Sequence, residues 1–161
     1  MKRNSRRLLS FTFTVVLIAV ALVTASCNRK TIYHHYEHTP LAGWEKNDTL
    51  FFTLSPVKER AVVQRDVEMR ISGEFPFQRL YLIVEQTTYP SNILRRDTLN
   101  CHLIDPAGNI QGNGVSLYQY SFHMSDISLN EGDSLQICIR HNMKREILPG
   151  IADVGIRLTA Y

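Results

Sequence analysis

The sequence predicts an all-β domain, an antiparallel β-sandwich of jelly-roll kind, behind an N-terminal signal. Three observations predict it. From residue 48 onward, apolar and polar residues alternate with a period of two. Clusters of turn formers interrupt that alternation at short intervals. Beyond the first 26 residues, no helix-length stretch repeats at 3.6. About seven strands with frequent turns fit a sandwich whose two sheets share one core.

The N-terminus is of another kind. Lys2, Arg3, Arg6 and Arg7 supply positive charge with no acid among them, and an apolar run follows from Leu8 to Val23. That order is a charged n-region and then an h-region. The run is shorter than the ~20 residues that cross a bilayer as a helix. Small residues at Ala25 and Ser26 precede Cys27, which resembles a lipobox with Thr24 in place of the usual Leu. Residues 1–26 are thus expected to be a signal peptide, with Cys27 lipidated to anchor the mature chain at a membrane. Ser5-Arg6-Arg7 only faintly resembles a twin-arginine signal, and the strongly apolar h-region favours the general secretory route.

Residues 27–40 read as a lipidated tether and residues 41–161 as the sandwich. Strands are expected at 48–54, 61–71, 80–87, 94–104, 117–124, 134–141 and 154–160. The second shows the pattern best: Val63, Arg65, Val67, Met69 and Ile71 take one face, while Gln64, Asp66, Glu68 and Arg70 take the other. Ser72-Gly73, Tyr89-Pro90-Ser91-Asn92, Asp105 to Asn109, Gly112-Asn113-Gly114 and Asn130 to Asp133 separate the strands. A short turn is expected around Met143 to Leu148.

Composition narrows the function. Removing the signal leaves 14 basic residues against 15 acids, so the apparent basicity of the whole chain is lost. With no basic stripe and interleaved aromatics, nucleic acid is rejected as a partner. A mature chain of 135 residues can bury one real core. Export permits Cys101 and Cys138 to pair, and two independent buried thiols fit the sequence as well.

A search for chemistry yields little. There is no Gly-x-Ser-x-Gly, no His-Glu-x-x-His, and no phosphate-binding glycine loop. His34, His35 and His38 lack the further Cys/His spacing that completes a metal site, so neither a metal nor another cofactor is expected. Ser116, His123 and Asp126 are the residue types of a triad with nothing to single them out. Asp66 and Glu68 share a strand face and read as a solvated pair. Trp44, Tyr81, Tyr89, Tyr118 and Tyr120 are candidates for an aromatic sugar platform or for core packing. The glycine-bearing segment with Asp105, Gly108, Gly112 and Gly114, and the turn from Met143 to Gly150, are the candidate partner-binding loops. Glycine allows such loops to lie close to another backbone.

One ordered set of residues goes further. Tyr33-His34-His35-Tyr36 is followed by Gly43-Trp44, Asp48-Thr49-Leu50-Phe51-Phe52, Arg70, Tyr81-Leu82, Tyr89-Pro90 and Asn92. Asp105, Gly108, Gly112, Gly114, Tyr118 and the tail from His141 to Ile156 complete it. The set resembles the gliding-motility lipoprotein family GldH of Bacteroidetes. The tail departs at Met143-Lys144-Arg145, where Met-Arg is the expected pattern. The resemblance implies a lipoprotein of the gliding machinery and the linked type IX secretion system. The family name does not supply a biochemical activity; with no catalytic motif found, a structural or interaction role among envelope proteins is expected, with no catalytic residue. A glycan-binding envelope lipoprotein is the alternative.

A Bacteroidetes origin bears on two further points. Asn28-Arg29-Lys30 is basic, unlike the acidic run that directs lipoproteins of that group to the cell surface, so the domain is expected to face the periplasm. Asp48-Thr49-Leu50, Asp97-Thr98-Leu99 and Asp133-Ser134-Leu135 resemble that group's O-glycosylation acceptor, placing candidate sugars on Thr49, Thr98 and Ser134. Each tripeptide also reads as a turn running into a strand.

Overall fold

A computed structural model describes residues 30–161. The signal peptide, Cys27 and the two residues after it lie outside the described residues. Among the described residues every regular element is a strand: β1 (Lys30–His38), β2 (Trp44–Glu45), β3 (Leu50–Leu54), β4 (Ala61–Ser72), β5 (Arg79–Tyr89), β6 (Ile93–His102), β7 (Asn113–Gly114), β8 (Leu117–Leu129), β9 (Ser134–His141), β10 (Ile147–Leu148) and β11 (Ile151–Ala160).

The larger sheet runs β1-β11-β4-β8-β7 and the other β3-β9-β5-β6, with β10 and β2 forming a small ribbon. Every pairing is antiparallel. Numbered by themselves, the eight long strands follow the orders 1-8-3-6 and 2-7-4-5. That is the strand order of a jelly roll, and it gives definite form to the expected sandwich.

Alternation builds the core. Val63, Val67, Met69 and Ile71 of β4 point inward with Val154, Ile156 and Leu158 of β11. Leu80, Leu82 and Val84 of β5 and Leu135, Ile137 and Ile139 of β9 meet them from the other sheet. Trp44 is fully buried at the end of this core, and its indole N–H donates to the Asp48 carbonyl at 3.0 Å.

Two expectations are corrected. Residues 30–38 do not form a tether, because they pair with β11 as an edge strand from Lys30 opposite Ala160 to His38 opposite Asp153. The folded domain therefore includes Lys30, well before residue 41. The stretch from Met143 to Leu148 carries the short strand β10. For the two thiols, left open above, the structure gives an answer: both are free. Cys101 lies opposite Leu80 and so faces the core, whereas Cys138 lies opposite Glu85 on the outer face. The sheet itself separates them.

The register also defines two ends. Lys30, Ala160, Val63 and Ile127 align across the larger sheet at one end. His38, Asp153, Arg70, Gln119 and Asn113 align near the other, where both candidate loops emerge. The chain thus enters the fold at the end away from those loops.

Candidate functional site

The densest chemistry lies on the outer face of the larger sheet. Three rows cross it: His38–Asp153–Arg70–Gln119, Tyr36–Gly155–Glu68–Ser121 and His34–Arg157–Asp66–His123. β4 and β11 are central, so their side chains are covered by those of the strands beside them. Asp66, Glu68 and Asp153 are only 4, 1 and 5% exposed. This corrects the reading of Asp66 and Glu68 as a solvated pair.

Each buried acid is engaged. Glu68 accepts from Arg157 at 2.9 Å, contacts His34 Nε2 at 2.8 Å, and accepts a short bond from the Tyr36 hydroxyl. Asp66 meets His123 Nδ1 at 3.2 Å and Gln64 at 3.1 Å. Asp153 pairs with His38 and with Arg70 at 3.5 Å. Arg70 also lies 4.4 Å from the centre of the Tyr36 ring, a cation–π contact.

Tyr36 occupies its place because its neighbour on β11 is glycine. A Cβ on Gly155 would stand 2.6 Å from Tyr36 Cδ1, so the ring lies flat over the bare backbone and reaches Glu68. Burial, and then the hydrogen bond to Glu68, push the Tyr36 phenol up to about 12, so it remains a donor. The face acts as a stitch that fastens the edge strand to the centre of the sheet.

A second polar cluster crosses the sandwich. The β4–β8 register slips between Val63 and Arg65, and this bulge turns Ser125 toward Arg65. Arg65 Nε donates to the Ser125 carbonyl at 2.9 Å, and its terminal nitrogens reach Ser125 Oγ at 2.8 Å and Gln86 at 2.9 Å. Asp97 lies 3.4 Å away. Burial lowers the Arg65 pKa, and Asp97 opposes that shift. Arg65 thereby links β4 and β8 to β5 of the other sheet.

The candidate loops are well ordered by their own bonds. Asp105 accepts the Asn109 backbone N–H at 2.8 Å, its side-chain amide at 2.9 Å and Gln111 at 3.2 Å. The Asn109 side chain leads the effects that lower the pKa of Asp105. Gly108 sits in this turn, Gly112 lies under the Tyr120 ring, and Gly114 belongs to β7. Met143 packs partly on the core. Gly150 has φ of +80°, and a Cβ there would stand 2.5 Å from Phe75 N, so the turn closes on the β4–β5 connection. Leu41, Ile110, Val115, Leu117 and Ile147 are exposed apolar residues at this same end.

Other candidates do not converge. His34, His35 and His38 each meet a different carboxylate, of Glu68, Glu37 and Asp153. Among the described residues no cluster suits a metal ion. His123 also lies 3.5 Å from Asp126, but Ser116 precedes it by seven residues of mostly extended chain, roughly 20 Å. Trp44 and Tyr120 are buried, Tyr81 faces out from β5, and Tyr89 is at the end near Lys30, so these aromatics share no surface. Thr98 is exposed on β6, while Thr49 and Ser134 are half-buried. Sequence reasoning missed Tyr36, Arg157 and Gly155 as partners of Glu68. Their common signal is spacing, since each falls on the outward face of its strand.

A jelly roll whose buried charges fasten strands, behind a segment that reads in sequence as an export signal and a lipobox-like cysteine, fits a small lipoprotein of the cell envelope. The chain belongs to the GldH lipoprotein family, whose model matches residues 31–158, from β1 to β11. It is 29% identical over 150 residues to the gliding motility lipoprotein GldH of Flavobacterium johnsoniae, covering 89% of this chain and 93% of that protein. Among solved structures, a family GH115 4-O-methyl-alpha-glucuronidase is similar at 15% identity and a TM-score of 0.43, over 83% of this chain and 18% of the enzyme. The CBM35 domain from Paenibacillus barcinonensis is similar at 8% identity and a TM-score of 0.33, over 82% and 94% of the two chains. At these scores neither likeness bears on function.

Proposed function

We propose that this chain is a lipid-anchored, non-catalytic component of the gliding apparatus and its linked type IX secretion system. It is lipidated at Cys27, faces the periplasm, and binds envelope proteins through its loop end. The observation that carries the reading is the placement of the loops. The Asp105–Gly114 segment, the Met143–Gly150 turn and the exposed Leu41 and Val115 share the end away from Lys30. The polar groups on the outer face of the larger sheet are engaged within the fold, so the loop end is the surface that offers apolar side chains to a protein partner.

Leu41→Asp with Val115→Asp tests this in the lipidated protein. Both residues are exposed, so thermal stability and membrane association are expected to stay as in the parent. Co-purification of envelope partners and gliding or secretion are expected to fall together. Unchanged partner recovery and unchanged phenotype would contradict the reading. As a separate proposal, Thr98 is the most accessible of the three sugar acceptors. The native protein is then heavier than polypeptide plus lipid, and Thr98→Ala removes most of the excess. An intact mass equal to polypeptide plus lipid contradicts it.

A further inference from the structure

The chain enters β1 at Lys30, and Cys27 stands three residues earlier. Three residues reach at most about 11 Å. The polar layer of one leaflet occupies roughly 5–8 Å of that span. A lipid on Cys27 therefore holds the Lys30 end of the sandwich within a few ångströms of the membrane surface. That is closer than a Debye length of about 8–10 Å, so charges at this end sense the headgroups.

This end has the composition for such contact. A recess of about 650 Å³ lies there, with Lys30, Ile32, Pro56, Val57, Lys58 and Arg60 on its walls. Among the described residues none of these three cations is ion-paired. Glu59 is the recess's acid. Glu131 and Asp133 lie on the neighbouring β8–β9 turn, where Asp133 accepts the Asn130 N–H at 2.8 Å. The apolar residues beside the cations can lie against the glycerol level while the charged heads reach phosphate.

We propose that this end is a membrane seat, in which Lys30, Lys58 and Arg60 contact the phosphates of anionic phospholipid headgroups. The seat stands the sandwich upright. β4, with its 12 residues, then carries the loop end roughly 35–40 Å from the surface. This inference rests on lipidation of Cys27, as proposed above.

Lysine footprinting tests it. The mature chain has four lysines, with Lys30 and Lys58 at the seat and Lys46 and Lys144 at the loop end. Mature lipidated protein is treated with an amine-reactive reagent in vesicles containing phosphatidylglycerol and, separately, in detergent. Labelling at Lys30 and Lys58 is expected to fall several-fold in the vesicles, with Lys46 and Lys144 unchanged. High salt or neutral phosphatidylcholine vesicles should restore much of it. Lys58→Glu with Arg60→Glu should restore labelling at Lys30 without changing thermal stability. Equal labelling of all four lysines, with the lipid confirmed by intact mass, overturns the seat and leaves the anchor standing. Protection that persists unchanged in neutral vesicles at high salt reflects the short tether alone and overturns headgroup contact. An intact mass without lipid overturns the anchor and the seat together.

Discussion

Gly155 shows how much rests on one absent side chain. A Cβ there would meet Tyr36 Cδ1 at 2.6 Å and the His35 carbonyl at 3.0 Å. Gly155→Ala is expected to displace Tyr36 from Glu68 and lower stability by about 1–3 kcal/mol. In a Tyr36→Ala background the same change should cost clearly less, which thermal unfolding of the four proteins would measure. The thiols give a second check. Burial pushes Cys101 up to about 12, and burial also raises Cys138, which is only partly covered. Cys138 should therefore alkylate first, with Cys101 reacting only on unfolding; early modification of Cys101 would contradict the packing.

His141 sets a pH dependence. It is buried, with Nε2 3.2 Å from the Trp44 carbonyl and Nδ1 3.4 Å from the Met143 N–H. A neutral ring with its proton on Nε2 satisfies both partners. Burial lowers the pKa below the ordinary 6.5. As pH falls through that value, the unfolded chain takes up a proton that the folded chain resists. The contribution to stability is thus fully present above about 6.5 and is lost as pH falls toward the lowered folded value. His141→Gln should flatten this part of the stability profile in urea titrations from neutral to mildly acid pH. An unchanged slope would remove His141 as its source.

Among the elements, β4 was the most legible and β1 the least. The alternation of Val63, Val67, Met69 and Ile71 identified the core face of β4. The outer face was equally clear, but alternation does not reveal what covers a face. Asp66 and Glu68 are buried because Tyr36, His34, Arg157 and His123 arrive from other strands. β1 lacked a signal because an edge strand needs few apolar residues. Its Ile32 is the one aliphatic residue from Lys30 to His38, and backbone pairing with β11 does much of the holding. Arg65 was legible in position, as a charge among core residues, but its partners depend on a bulge in β8. Arg65→Met keeps an apolar, unbranched stem but removes the guanidinium, and so strands Gln86 and the Ser125 carbonyl. A loss of about 2–4 kcal/mol is expected in chemical denaturation. No loss would mean that the clasp between the sheets contributes nothing net.

At the scale of the whole molecule, the sandwich was legible in the sequence but the polarity of the domain was not. That polarity follows from register: Lys30 pairs at one end of β11, and the glycine-bearing loops emerge near the other. The proposed lipid at Cys27, with an entry point three residues later, would leave little room for the domain to turn over. As proposed, the domain is a short post, seated on the membrane and offering its far end to an envelope partner. The most direct measurement is photo-crosslinking in the source cell, from a reactive residue placed at Leu41, at Val115 or at Lys58. Protein adducts from Leu41 and Val115, with only lipid captured at Lys58, are the expected result. Protein adducts from Lys58 and none from the loop end would contradict it.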